Sequence, residues 1–471
     1  MKKATIMPCL FLGILGCAPK PNAQKIASTS ATDNGSYWLT DLGDSIMFQQ
    51  RSLVKDITDR SATTITIDPS TTYQTVDGFG YTLTGGSAEH LNNMSTSARQ
   101  AFLTEVFDSS KGIGVSYLRI SVGASDLDSL PFSYDDLPSG VSTDNELQYF
   151  SIQKDQHTLI PILKQILLIN PHIKILGSPW SPPAWMKDNH NTKGGKLKTD
   201  CYDVYARYFV KYIEAMKTNG INIDAITVQN EPLNPKNNPS LDMQPEEQLA
   251  FVKTALGPAF QAHNIKTKII LYDHNADRPD YPITVLNDPN AAKYVDGSAF
   301  HLYGGKIDAI GTVHEKFPQK NLYFTEQWTG AQETFANNLS WHTENVIIGS
   351  MRNWCKTALE WNISSNPTLT PHTPGGCDQC LGAVTIDGDS ITRNAGYYIV
   401  AHASKLARPG SVRIASNMVD NLPNVAFQRP DGKIALIVMN KDSKPSTFNI
   451  ALDNKTFSMK INGNSIESIL L

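Results

Sequence analysis

Between residues 77 and 407 the chain alternates between two hydrophobic patterns. Short apolar runs occur at 78–83, 116–121, 173–178, 225–230, 268–273, 297–303, 322–326 and 358–362. Several are continuous rather than alternating, as expected of parallel strands buried on both faces. The segments between them repeat at helical spacing. Leu159, Ile160, Ile162, Leu163, Ile166 and Leu167 form one broad stripe. Val204, Tyr205, Tyr208, Phe209, Tyr212 and Met216 form another, which ends near the C-cap candidate Gly220. A third helix is predicted from Pro245-Glu246-Glu247, because proline and acids suit the free N–H groups of a first turn. Eight strand–helix alternations predict an α/β fold, a (β/α)₈ TIM barrel over residues 77–407. A doubly wound open sheet is the alternative, but no Gly-rich phosphate loop follows the first run.

The pattern changes after about residue 408. Short runs at 425–427, 434–439, 448–452 and 457–461 are separated by turn residues, with the hairpin signal Asp431-Gly432 between two of them. A small antiparallel β-sandwich domain is predicted over 408–471. The alternating Thr and Ile of 63–67, within the N-terminal segment 37–76, are expected to add a strand to it.

The first residues carry different information. Met1-Lys2-Lys3 precedes an apolar run, 7–15, too short to span a bilayer as a helix. Its end, Ile14-Leu15-Gly16-Cys17, resembles a bacterial lipobox. That resemblance implies a lipoprotein signal peptide at 1–16, a lipid anchor on Cys17 and export to the bacterial outer membrane, periplasmic or at the cell surface. A plain secretory signal is the alternative. Residues 17–36, rich in Pro, Ala, Ser, Thr and Asn after the cysteine, read as a flexible tether, and the remainder is expected to be soluble.

Composition narrows the partners. A 40% hydrophobic and 18% charged chain is ordinary for a globular protein, and a net charge of −4 offers no drive toward nucleic acid. A neutral sugar suits this balance better than a polyanion, and contact with a membrane is expected only through the N-terminal lipid. Of the cysteines beyond Cys17, Cys201 and Cys355 lie in helix-like segments and read as buried small hydrophobes. Cys377 and Cys380 are spaced for a small disulfide loop, a metal site or redox chemistry. No second ligand pair completes a zinc site, and no thioredoxin-like pattern surrounds them. A loop-stiffening disulfide is the favoured reading, with two free thiols next.

Two glutamates stand out by position. Gln229-Asn230-Glu231-Pro232 closes the fourth run, and Thr325-Glu326 closes the seventh. Barrel active sites are built at that rim from the ends of different strands. Glycosidic cleavage needs such a pair, one carboxyl protonated and one ionised. A separation of about 5–5.5 Å selects the retaining route, and a wider one leaves room for water and inverts.

With these motifs the chain resembles glycoside hydrolase family 30, from about Thr71 to the C-terminus. The carrying segments are Asp77-Gly78-Phe79-Gly80, Leu118-Arg119-Ile120-Ser121, Ser178-Pro179-Trp180-Ser181-Pro182-Pro183-Ala184-Trp185-Met186, Gln229-Asn230-Glu231-Pro232, Phe300-His301-Leu302-Tyr303 and Thr325-Glu326. The resemblance implies Glu231 as general acid/base and Glu326 as nucleophile of a retaining β-glycosidase. It implies Asn230 on the 2-hydroxyl and Arg119 beside Glu326, where a structural ion pair is the alternative for the arginine. Asp126, Trp180 and Trp361 would bind the reacting sugar, core packing being the alternative for either tryptophan. His301 and Tyr303 would line the mouth; alone, such a histidine reads as a satisfied core residue. Leu302 departs from the aromatic that relatives often carry there, which leaves local pocket shape open.

The 370–380 insertion is more like the branch acting on β-1,6-glucan than the glucosylceramide-cleaving branch. Endo-hydrolysis of β-1,6-glucan is therefore the leading expectation, with a glucosylceramidase or β-glucosidase second. A non-catalytic surface glycan-binding protein is a third, disfavoured because both carboxylates are present. The chemistry requires no cofactor and no metal.

Overall fold

A computed structural model describes Met1 and residues 35–53 and 59–471. The expected signal peptide, Cys17 and all but the last two residues of the expected tether lie outside the described residues. Eight strands close a barrel in chain order. They are β1 (Gly78–Leu83), β2 (Tyr117–Ser121), β3 (Lys174–Ser178), β4 (Ala225–Thr227), β5 (Lys268–Asn275), β6 (Val295–His301), β7 (Asn321–Glu326) and β8 (Cys355–Asn362). Every neighbouring pair is parallel, and β8 returns to β1.

Alternation along these strands builds the inside of the barrel in layers. Tyr117, Leu176, Ala225, Ile270, Ala299, Tyr323 and Leu359 pack together as an apolar plug. Two residues further along their strands stand Arg119, Ser178, Thr227, His301, Thr325 and Trp361, all buried. The next inward layer is thus mostly polar, and it is the floor of the site described below.

The helices outside follow the predicted stripes. Tyr202–Thr218 buries Val204, Tyr205, Tyr208, Phe209, Tyr212 and Met216. It stops where Gly220 turns to φ 79° and Ile221 N–H donates back to the Met216 carbonyl. Pro245–Phe251 starts with Pro245 in its first turn, and Gln244 and Glu247 cap each other reciprocally.

The β-domain is larger than predicted. Its nine-stranded sheet orders Ile46–Ser52, Ser36–Asp41, Ser465–Leu470, Ile434–Asn440, Asn424–Gln428, Val412–Ser416, Thr63–Thr75, Ser446–Leu452 and Lys455–Ile461. The strand expected at 63–67 is present and extends to Thr75. Its pairing with Ser446–Leu452 is parallel, an exception in an otherwise antiparallel sheet. Ser36–Asp41, Ile46–Ser52, Val412–Ser416 and Ser465–Leu470 add to the strands read from the sequence, where only three apolar residues in each give too short a pattern. Period two divides Ile434–Asn440 between two cores. Ile434, Leu436 and Val438 pack within the domain, while Ala435, Ile437 and Met439 join the apolar cluster of the barrel. Among the described residues no helix is long and apolar enough to cross a membrane.

Candidate active site

The rim of the barrel is where regular pairing gives way, and the backbone there aims the acids. The hydrogen-bonded part of β4 ends at Thr227, three residues before the predicted end. The chain nevertheless stays fastened to both neighbours: Asn230 N–H donates to the Pro179 carbonyl at 2.8 Å and Glu231 N–H to the Asp273 carbonyl at 2.9 Å. Glu231 takes φ 43°, and Tyr272 and Asp273 on β5 take φ 70° and 68°. Such left-handed values in non-glycine residues cost about 1–3 kcal/mol each and persist where surrounding contacts impose them. Glu326 ends β7 just past a register shift against β6, the kind of bulge that re-aims a side chain.

These distortions bring the two glutamates together. One acceptor or donor atom each from Glu231, His301 and Glu326 lies within 4.8 Å of the others. Glu231 Oε1 faces His301 Nδ1 at 3.3 Å, and its Oε2 accepts from Asn234 Nδ2 at 2.7 Å. Glu326 Oε2 accepts from Arg119 Nη1 at 2.5 Å, and Oε1 accepts from the Tyr303 hydroxyl at 2.9 Å. Beneath them sits Asp273, fully buried. Its Oδ2 accepts from Arg119, Ser178 and Thr227, and its Oδ1 pairs with His301 Nε2 at 3.1 Å and accepts from Thr325 at 2.6 Å.

Charge follows from this wiring. Burial opposes a charged imidazole, but Glu326 and the hydrogen bonds to Asp273 and Glu231 outweigh it and lift His301 to about 9. Burial likewise opposes the Glu231 anion, yet the hydrogen bond and charge of His301, with help from His274 and Asn234, pull it down to about 2. Glu326 is raised above an ordinary glutamate, mainly by burial and further by Glu231, against the pull of His301 and Arg119. The 2.5 Å pair with Arg119 and the Tyr303 donor act the other way and favour its ionised form. Asp273 is held well below the usual range: Arg119, His301 and Thr325 overcome the burial that opposes its charge.

A cavity of about 620 Å³ opens above the pair and is lined by Asp126, Glu231, Tyr303, Glu326, Trp361 and the Cys377 and Cys380 side chains, among others. The two cysteines form a disulfide. Its loop grips Asp126: Thr373 N–H donates to the Asp126 carbonyl at 2.9 Å and Cys377 N–H to Oδ2 at 3.3 Å. Asp126 Oδ1 is buried without a partner, and burial, then the Glu326 and Glu231 charges, raise its carboxyl to about 7. Cys201 and Cys355 are free and buried.

All the predicted site residues of the barrel therefore converge, though not all in the cavity wall. Trp180, like Arg119, Asn230 and His301, is not among the side chains lining the cavity. It is 1% exposed and lies behind the lining, 5.4 Å from Trp361 and under the Arg119 guanidinium at 4.8 Å. Asn230 accepts from Arg119 at 2.6 Å, so Arg119 bonds Asn230, Asp273 and Glu326 at once. Tyr303 stands beyond the end of β6 rather than within it, its ring at the rim. Sequence reasoning missed Asp273, Asn234 and His274. The one available signal was an acid closing the apolar run 268–273, as acids close strands four and seven. Glu231, His301 and Glu326 are also close enough to share a metal ion. Their lone pairs and charge are already engaged by Arg119, Tyr303, Asn234 and Asp273, as suits a proton-transfer site.

Comparison with known proteins places the fold. Residues 76–407 match the glycosyl hydrolase family 30 TIM-barrel domain, and 410–469 match the family 30 beta sandwich domain. An endo-1,6-beta-D-glucanase of Aspergillus fumigatus is 33% identical over 394 residues, 78% of each chain. The lysosomal acid glucosylceramidase of Mus musculus is 29% identical over 405 residues, 81% of this chain and 78% of its own. Among solved structures, the endo-beta1,6-glucanase BT3312 superposes with a TM-score of 0.87 at 36% identity, covering 93% of this chain and 99% of its own.

Proposed function

The chain belongs to glycosyl hydrolase family 30, and from that premise we propose that it is a retaining endo-β-1,6-glucanase with Glu326 as nucleophile and Glu231 as acid/base. The observation that carries the mechanism is the approach of the two carboxylates to within 4.8 Å, with only Glu326 paired to a guanidinium. That separation suits direct attack better than an intervening water.

In the first step Glu326 attacks the anomeric carbon and the glycosidic C–O bond breaks. Glu231 delivers a proton to the departing oxygen. In a β-1,6-linkage that oxygen leaves as a primary alkoxide, a poor leaving group, so the proton matters. In the resting site the surrounding charges and hydrogen bonds favour a protonated His301, whose Nδ1 faces Glu231 at 3.3 Å. As the sugar oxygen docks, the proton passes to Glu231 and on to the substrate, leaving His301 neutral and still bonded through Nε2 to Asp273. In the second step Glu231 takes a proton from water, whose oxygen attacks the glycosyl ester and frees Glu326; the proton returns to His301. Asp126 offers an unpartnered, buried oxygen to a sugar hydroxyl, and Trp361 an apolar wall.

The β-1,6-glucan assignment is supported by the named activity of the relatives at 32–35% identity and by the walled pocket under the disulfide loop. Incubation with pustulan, a linear β-1,6-glucan, should release oligosaccharides that appear first as β-anomers by NMR. Cleavage of a nitrophenyl β-glucoside or glucosylceramide without action on pustulan would instead support a glucosidase, in line with the glucosylceramidase relatives. Glu326→Ala should abolish turnover, with azide restoring cleavage of an activated substrate to the glycosyl azide of inverted configuration. Glu231→Ala should impair poor leaving groups far more than activated ones, and equal losses would refute the acid role. Export with lipid attachment at Cys17 belongs to the same reading. Metabolic labelling with a radioactive fatty acid, lost in Cys17→Ser, is its test.

A further inference from the structure

A second cavity, of about 830 Å³, adjoins the first across a ridge made by Tyr303 and Trp328, which line both. Its lining differs from that of the reaction site. Gln332, Asn337 and Ser340 present neutral polar groups, and Trp341 stands 40% exposed, the one exposed tryptophan among the described residues. Tyr303, 37% exposed, is the next aromatic along the same path. Nothing in the reaction as derived above uses Trp341.

The wall of this cavity is fixed to the active site. Thr329–Gly330 pairs antiparallel with Cys380–Leu381, and the Gln332 and Gln379 amides bond at 2.8 Å. Asn338 Nδ2 donates to the Gly330 carbonyl at 3.1 Å. The two cavities are thus held in register by the segment that carries the disulfide.

We propose that this second cavity binds further glucosyl units of the same β-glucan chain, with the Trp341 ring as their stacking face. The inference rests on the endo-β-1,6-glucanase reading. An endo-acting enzyme has to seat sugars beyond those at the cut bond. Amide groups, which both donate and accept, match ring hydroxyls, while an exposed indole matches the C–H face of a pyranose. A 1,6-linkage adds a rotatable C5–C6 bond, so the chain is able to turn over the Tyr303–Trp328 ridge. An apolar aglycone is the competing occupant, and the exposed Gln332 and Asn337 amides beside Trp341 favour the sugar over it.

The test is Trp341→Ala in the full chain, with Gln332→Ala as a second variant. Both side chains are exposed, and thermal melting checks that the fold is retained. For a long β-1,6-glucan, kcat/KM of Trp341→Ala should fall about tenfold, mostly through KM, equivalent to about 1.4 kcal/mol. Hydrolysis of p-nitrophenyl β-glucoside, which carries a single glucosyl unit, should stay within about twofold of wild type, well inside 1 kcal/mol. Undiminished glucan hydrolysis in both variants, or equal losses on the two substrates, would overturn the proposal. So would a loss confined to a long-chain alkyl β-glucoside, which would assign the cavity to an apolar group. Wild-type protein that cleaves the aryl glucoside but not the glucan defeats the underlying reading as well, and that result requires no variant.

Discussion

At the scale of single residues the site depends on one buried carboxylate that does not line the reaction cavity. Asp273 accepts from Arg119 and pairs with His301, and these in turn hold Glu326 and Glu231. Its charge favours the His301 cation. Asp273→Asn keeps the shape and removes the charge, so His301 loses its proton at lower pH. The basic limb of the kcat/KM profile, expected near the His301 value of about 9, should then move down. Glu326 is relieved of the Asp273 charge and Arg119 is left to stabilise its carboxylate more fully, so the acidic limb should move down too. We expect both limbs to shift toward acid by about one pH unit, measured on a nitrophenyl glycoside. A lowered rate with an unshifted profile would limit Asp273 to a packing role. Glu231 and Glu326 were legible in the sequence because acids end two of the apolar runs. Asp273 ends a third, but a strand-end aspartate is as easily a solvated cap, and only barrel closure sets it against Arg119.

At the scale of elements the disulfide loop is the piece that shapes the pocket. The Cys377–Cys380 ring is short, so the denatured chain loses little freedom by closing it, about 2 kcal/mol in the chain-entropy description. Its greater effect is on Asp126, which the loop holds through Thr373 and Cys377. The double variant Cys377→Ser/Cys380→Ser should therefore lower the melting temperature by only a few degrees. Its KM for an aryl β-glucoside should rise by about tenfold, since misplacing a positioning group by about 1 Å costs more than that. An unchanged KM would show that the loop holds Asp126 without its disulfide. Spacing alone left disulfide, metal and redox readings open for these cysteines, because it does not report where the two Cβ atoms point.

At the scale of the whole molecule, the barrel and the β-domain share one apolar cluster. Val425, Phe427, Ala435, Ile437, Met439 and Ile466 of the sheet belong to the same continuous core as the barrel helices. The last barrel helix, Ala395–Ser404, is also pinned by His402, whose ring nitrogens contact Thr40 and Ser468 Oγ at 2.8 Å each. An interface this continuous should couple the two parts, so calorimetry is expected to show a single unfolding transition. Two separated transitions would contradict it. Ser36–Asp41 and Ile46–Ser52 complete that sheet, yet a run of only three apolar residues in each is too short to announce a strand in a linear reading.

The sequence by itself determined the eight barrel strands, the late β-domain and the two glutamates at strand ends. Each rests on local periodicity or on position within an apolar run, which a one-dimensional pattern retains. Tertiary structure alone decided that Trp180 lies behind the pocket, that Asp273 joins Arg119 to His301, and that a second cavity opens beside the first. Those facts depend on which side chains meet across the closed barrel, and closure brings together residues that are more than a hundred positions apart in the chain, such as Arg119 and Asp273.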